Sequence, residues 1–195
     1  MFFRCLYSVI QPLIRVFYKV FFFAKSYNEN SVPNDVSVII CGNHKSINDG
    51  IVIGGFIPRK LNFMAKKELF ANKFCKWFLT GLGIYPVDRK GNDISVIKTA
   101  LKILNNNGAM VIFPEGTRNL PDINNSKDGA IVLALKTKSP IVPVKIQSPY
   151  KLFHGMKIIF GEPIYYEQYY DKKLSGEDVH KLTVQLMEKI YSLKD

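Results

Sequence analysis

Acidic side chains are scarce: 16 Asp plus Glu stand against 27 Lys plus Arg, a formal net charge of +11 over 195 residues. That imbalance favours anionic partners. Cysteine is rarer still, at positions 5, 41 and 75 only. An odd count in a chain long enough to bury its own core argues against a disulfide framework and for a reducing, cytosol-facing compartment. The histidines, His44, His154 and His180, lie far apart and pair with no cysteine at zinc-site spacing, so no metal is expected. Glycine-rich phosphate loops are missing too. Gly81-Leu82-Gly83 lacks the third glycine of a dinucleotide loop and no GxxxxGK occurs, which leaves nucleotide binding unsupported. There is no long apolar run. The longest uncharged stretch of the apolar N-terminus, Cys5 to Ile14, is ten residues against the roughly 20 needed to span a bilayer, and no signal-peptide cleavage site follows.

What is present has ordinary globular proportions, 47% apolar and 22% charged, enough for one folded domain. The first 25 residues stand apart, with six phenylalanines, four basic residues and no acid. On a helix, Arg4, Ser8, Gln11, Arg15 and Lys19 fall in one narrow sector, and Leu6, Val9, Leu13, Val16, Phe17 and Val20 lie opposite. Residues 1–26 are therefore expected to form an amphipathic helix in the membrane interface, its aromatic face among acyl chains and its basic stripe at an anionic membrane surface. Pro12 is expected to kink it, leaving either one amphipathic helix or a kinked helix pair. The bland reading is a helix packed on the protein's own core with its stripe in water. Residues 27–35, polar and turn-forming, read as a linker to a domain over 36–195.

In that domain short β-rich runs alternate with helical patterns. Strands are expected at Val36–Cys41, Leu61–Ala65, Gly83–Val87, Ala109–Phe113, Ile141–Ile146 and Lys157–Phe160, and helices at Asp93–Asn107 and Ser175–Leu193. The alternation predicts a single α/β domain whose central sheet is mostly parallel and flanked by helices, with ligands beyond the carboxyl ends of its strands. Tyr165, Tyr166, Tyr169 and Tyr170 read as an aromatic pack.

Two segments at such strand ends carry chemistry. After Val36–Cys41 come Gly42, Asn43, His44, Lys45, Ser46, Ile47, Asn48 and Asp49. Ser46 followed three residues later by Asp49 is a helix-entry pattern, which by itself needs no catalytic role. A helix starting there also lets His44 fold back on Asp49, which would orient the imidazole as a base. After Ala109–Phe113 come Pro114, Glu115, Gly116, Thr117 and Arg118. Gly116 permits close backbone approach, Thr117 offers a hydroxyl and Arg118 a planar fork for phosphate oxygens. The bland alternative is a surface turn with a Glu115–Arg118 ion pair.

The NHxxxxD pattern of Asn43, His44 and Asp49 and the FPEGTR of Phe113–Arg118 resemble the first and third motifs of the glycerolipid acyltransferases, in particular the 1-acylglycerol-3-phosphate acyltransferases. Lys66 to Phe70 with Gly83 to Arg89 resembles the second block, and Ile141 to Val144 the fourth. Lys73 and Lys76 stand where the second block usually carries proline and glycine, and Ser126 where a phenylalanine usually precedes the Lys127, Gly129 pair.

The resemblance implies acyl transfer from acyl-CoA or acyl carrier protein to the free hydroxyl of lysophosphatidic acid, giving phosphatidic acid, with no cofactor and no metal. By resemblance His44 is the base and Asp49 its partner. Glu115, Gly116, Thr117 and Arg118 hold the acceptor phosphate, Lys66 and Arg89 help, and Asn43 or backbone N–H groups face the oxyanion. The enzyme would sit on the cytoplasmic face of a membrane without crossing it. Glycerol 3-phosphate or another lysophospholipid remains the alternative acceptor, and a non-catalytic binder of anionic lipids the alternative class. Nucleic acid is not an expected partner, because no reader motif accompanies the positive charge. Cys41, three residues before His44, is a competing nucleophile for a covalent route, although its place at the end of an apolar run favours burial.

Overall fold

The computed structural model describes residues 2–87, 94–118 and 122–195. Five strands, β2 (Val38–Gly42), β3 (Leu61–Lys66), β4 (Ile84–Val87), β5 (Ala109–Ile112) and β6 (Ile141–Gln147), run parallel. Two more, β1 (Ala24–Tyr27) and β7 (Met156–Phe160), are parallel to each other and reversed against the rest, because β7 pairs antiparallel with β6. The order across the sheet is β1-β7-β6-β2-β5-β3-β4. The central β2 is buried along its whole length, as a continuous apolar run in a parallel sheet should be. Val38 and Ile40 face a core shared with α1 (Phe2–Phe21) and α2 (Asn48–Phe56). Ile39 and Cys41 face the opposite core, under α4 (Ile94–Asn105), α5 (Gly129–Thr137) and α6 (Gly176–Ser192). One further helix, α3 (Lys73–Gly81), buries none of its side chains. The six expected strands and two expected helices all appear, displaced by a residue or two at their ends.

The N-terminal segment forms a single helix: α1 is continuous, with Pro12 inside it. It is held along its length: the Tyr7 hydroxyl donates to Arg59 O and accepts from Leu61 N–H, and the Gln11 amide donates to Ile57 O at 2.6 Å. A Cβ at Gly55 would meet Ile14 Cγ2 at 2.6 Å, so glycine there is what lets α1 approach α2. The basic stripe does not face outward as a unit. Arg15 pairs with Glu29 and lies 5.4 Å from the centre of the Phe56 ring, while Lys19 stays exposed. The counter-charge comes from the polar segment after the helix, which a helical wheel cannot register.

Turning Gln11 and Arg15 inward leaves Val9, Leu13, Val16, Phe17 and Val20 exposed on the outer arc. Tyr18 and Phe22 are buried in the core and β1 joins the sheet, so the chain before Val36 supplies both core and strand. Among the described residues, no helix is long and apolar enough to cross a membrane.

Candidate functional site

At the carboxyl end of β2 the chain leaves the sheet through Asn43 and His44 and enters α2 four residues later. The Asp49 carboxylate organises this turn: its Oδ2 accepts from Lys45 N–H at 2.7 Å and Ser46 N–H at 2.8 Å, and lies 2.9 Å from His44 Nδ1. Ser46 belongs to this turn rather than capping the helix: its hydroxyl accepts from Asn48 N–H, and Ile47 takes the N-cap position of α2. The helix entry and the histidine–carboxylate pair are thus one structure. The other ring nitrogen, His44 Nε2, accepts from Arg118 Nε–H at 3.2 Å. With a donor on Nε2, the ring proton sits on Nδ1, the tautomer a general base requires. The imidazole stacks on Phe113, ring centres 4.2 Å apart.

The remaining motif residues divide. Asn43 is buried and engaged by the backbone: one N–H of its amide donates to Ile146 O at 3.0 Å and its oxygen accepts from Ile146 N–H at 2.7 Å. It fastens β6 to the β2 turn. Glu115 is buried as well. Its Oε1 accepts from His44 N–H at 3.3 Å and from the Tyr191 hydroxyl at 2.6 Å, so it braces the histidine's backbone; no Glu115–Arg118 ion pair forms. Gly116 takes φ +66°, a left-handed turn that favours glycine, and its N–H bonds Phe113 O. Thr117 and Arg118 are exposed at this turn, and Lys66 ends β3 at the same edge. Arg89 lies outside the described residues.

Two tyrosines the sequence did not single out complete the surroundings, Tyr191 on Glu115 and Tyr150 on Asp49 Oδ1. Neither carries a local motif, and each partner lies more than 70 residues away, so only the fold joins them.

His44, Lys66 and Arg118 also line a cavity of about 830 Å³ whose other walls are almost wholly apolar. Tyr7, Ile10 and Ile14 of α1, Ile51 and Gly54 of α2, Phe63 and Met64 of β3 and Leu133 of α5 contribute to it. A polar, cationic corner on an apolar chamber suits a molecule with a charged head and a long hydrocarbon chain. Cys41 lies away from this corner, fully buried in the core under α4 and α6, and burial pushes its thiol far above the usual range. A thiol so held is a packing group. Among the described residues no group of three or more His, Cys, Asp or Glu side chains could hold a metal ion.

The sequence matches the family described as Acyltransferase over residues 24–147, and the chain belongs to that family. It is similar to the 1-acyl-sn-glycerol-3-phosphate acyltransferase of Bacillus subtilis, 40% identical over 147 residues covering 72% of this chain and 73% of that one. The enzyme of the same description from Streptococcus pneumoniae is 31% identical over 72% of this chain, a stretch spanning about half (55%) of that protein. In fold, the crystal structure of the 1-acyl-sn-glycerophosphate (LPA) acyltransferase PlsC from Thermotoga maritima superposes with a TM-score of 0.73 at 23% identity, covering 99% of this chain and 83% of that one.

Proposed function

We propose that this acyltransferase moves a fatty acyl group from an acyl thioester, acyl-CoA or acyl carrier protein, to the free hydroxyl of 1-acylglycerol 3-phosphate, giving phosphatidic acid. The observation that carries the reading is the His44–Asp49 pair set beside Arg118 at the polar corner of the apolar cavity. His44 Nε2 takes the proton of the acceptor hydroxyl as its oxygen bonds to the thioester carbonyl carbon. Collapse of that adduct breaks the C–S bond, and the leaving thiolate takes the proton back. Asp49 stabilises the imidazolium in between, and general-base help of this kind is worth about 100- to 10,000-fold.

Arg118 has two duties in this scheme. Without acceptor it donates to Nε2, the lone pair the reaction needs. An acceptor phosphate draws the guanidinium into a bidentate contact and frees the base where the hydroxyl arrives. Gly116, Thr117 and Lys66 complete the anion site from the same edge. Glu115 and Asn43 act on the site by fixing the backbone of the His44 turn. The apolar chamber takes an acyl chain, and the direct route bypasses Cys41.

The exposed arc of α1 lies on the lipid surface, continued by Phe74 and Trp77 of α3, the latter touching Phe3 of α1 with ring centres 4.9 Å apart. The protein so placed rests on the cytoplasmic face of a membrane, where acceptor and product both reside. The deciding experiment supplies purified protein with acyl-CoA or acyl carrier thioester and, separately, lysophosphatidic acid, glycerol 3-phosphate or other lysophospholipids. Thiol release with phosphatidic acid by mass spectrometry is the expected result with lysophosphatidic acid. Silence with every donor and acceptor, with binding to anionic vesicles retained, would make the chain a lipid-binding protein instead.

A further inference from the structure

Beyond β6 the chain turns through Ser148 to Gly155, and this turn is fastened at several points. At its start, Ile146 is tied to Asn43 on both backbone atoms. Tyr150 N–H donates to the Ser148 hydroxyl at 2.9 Å. Phe153 N–H donates to Phe21 O at 2.8 Å, and its ring packs on Phe21 and Phe23 at the end of α1. Within it Tyr150 sits at φ +51°, in the left-handed region that a β-carbon disfavours. A non-glycine residue kept there is held by its surroundings, and such positions cluster where a side chain must be aimed.

The aim is specific. The Tyr150 ring packs on the core cluster containing Tyr18 of α1 and Phe22 just after it, and its hydroxyl donates to Asp49 Oδ1, the carboxylate oxygen that neither the α2 turn nor His44 engages. All four partners of Asp49 therefore donate, three to one oxygen and Tyr150 alone to the other. Burial and the neighbouring carboxylate both push the phenol's proton affinity up, so it remains a donor. The three donors on Oδ2 all come from residues 44–46, the same turn that carries the carboxylate. The bond on Oδ1 comes from a separate element and ties that turn to the segment after β6.

We propose that Tyr150 is a positioning residue for acyl transfer, anchoring the Asp49 carboxylate from a separate element so that His44 presents Nε2 to the acceptor hydroxyl. The inference rests on the His44–Asp49 reading above.

The test is a double-mutant cycle in the full-length protein with acyl thioester and lysophosphatidic acid. Tyr150→Phe keeps the ring and removes the donor. In the parent background kcat is expected to fall about tenfold, the scale of one hydrogen bond to a charged group, with KM for both substrates unchanged. In an Asp49→Asn background the same change is expected to cost much less. An equal loss in both backgrounds, or a rise in KM without a fall in kcat, would make Tyr150 a packing residue and overturn the proposal. Fluorotyrosines at position 150 serve if Tyr150→Phe unfolds by circular dichroism: kcat should track phenol acidity, and a flat series overturns the proposal. If His44→Ala and Asp49→Asn are themselves fully active, the dyad reading has failed and Tyr150 falls with it. If those two are inactive while Tyr150→Phe is silent, this inference alone is wrong.

Discussion

Two histidine–carboxylate pairs occur among the described residues, and by distance they are indistinguishable: Nδ1 to carboxylate oxygen is 2.9 Å in His44–Asp49 and in His180–Asp128. Their other ring nitrogens differ. His44 Nε2 faces a donor, Arg118 Nε–H, whereas His180 Nε2 faces an acceptor, Asn124 O, at 2.9 Å. Two acceptors are both satisfied only when both nitrogens carry protons, so the contacts of His180 favour the imidazolium, which has no lone pair to offer. Exposure differs in the same sense, with side chains 11% and 1% exposed in the first pair and 36% each in the second. The first opens on an apolar cavity, and the second straps α6 to the segment before α5. A histidine beside a carboxylate can therefore serve as a base only when its far nitrogen is left able to accept.

The largest effect should separate the pairs outright. His44→Ala is expected to lower kcat by at least about 100-fold, the lower range for a general base, with the fold intact by circular dichroism. His180→Ala should keep parent-level turnover. Comparable losses in both would erase the distinction drawn from Nε2.

Arg118→Lys probes the partner that defines the first pair. An ammonium reproduces neither the Nε–H contact to His44 nor a bidentate phosphate fork. A rise in acceptor KM of about tenfold is expected, the scale of one charge-assisted hydrogen bond, with donor KM little changed. Equal weakening for a neutral-headgroup acceptor would remove Arg118 from the phosphate site.

Chain proximity gives a third contrast. Cys41 precedes His44 by three residues yet points into the opposite core, because successive strand residues face opposite sides of the sheet. Cys41→Ala should cost about 1 kcal/mol of stability, an ordinary core change, while transfer continues. An acyl adduct on Cys41 by intact mass after donor alone would reverse this.

How much of this was legible in the sequence follows from the range of each interaction. The parallel sheet could be read because each buried strand, such as Val38–Cys41, is a local apolar run. The His44–Asp49 pair could be read because it closes within one turn. β1 was missed: Ala24–Tyr27 is short, half polar, and owes its strand character to β7, far along the chain. The inward turn of the α1 stripe was missed because Glu29 and Ile57 O supply its partners from outside the helix. Asn43 and Glu115 were placed at the right corner, but whether they point at substrate or at backbone depends on β6 and α6. Tyr150 and Tyr191 had no local signature at all.

The smallest effect concerns the second pair's charge. The Asp128 hydrogen bond, and then Asn124 O, raise the His180 pKa above its ordinary 6.5. A group whose folded pKa is raised stabilises the protein fully below its unfolded value, and that contribution disappears as pH climbs through the folded value. The parent should therefore melt above His180→Gln at about pH 5.5, by no more than about 2 °C for so exposed a strap. The gap should close by about pH 9, where both forms lack the charge. Because the strap is electrostatic, added salt should also narrow the gap at low pH. Melting curves at the two pH values, each at low and high salt, measure this directly. A gap that persists unchanged at pH 9 would mean that the ring acts by packing, and the contrast with His44 would then rest on burial alone.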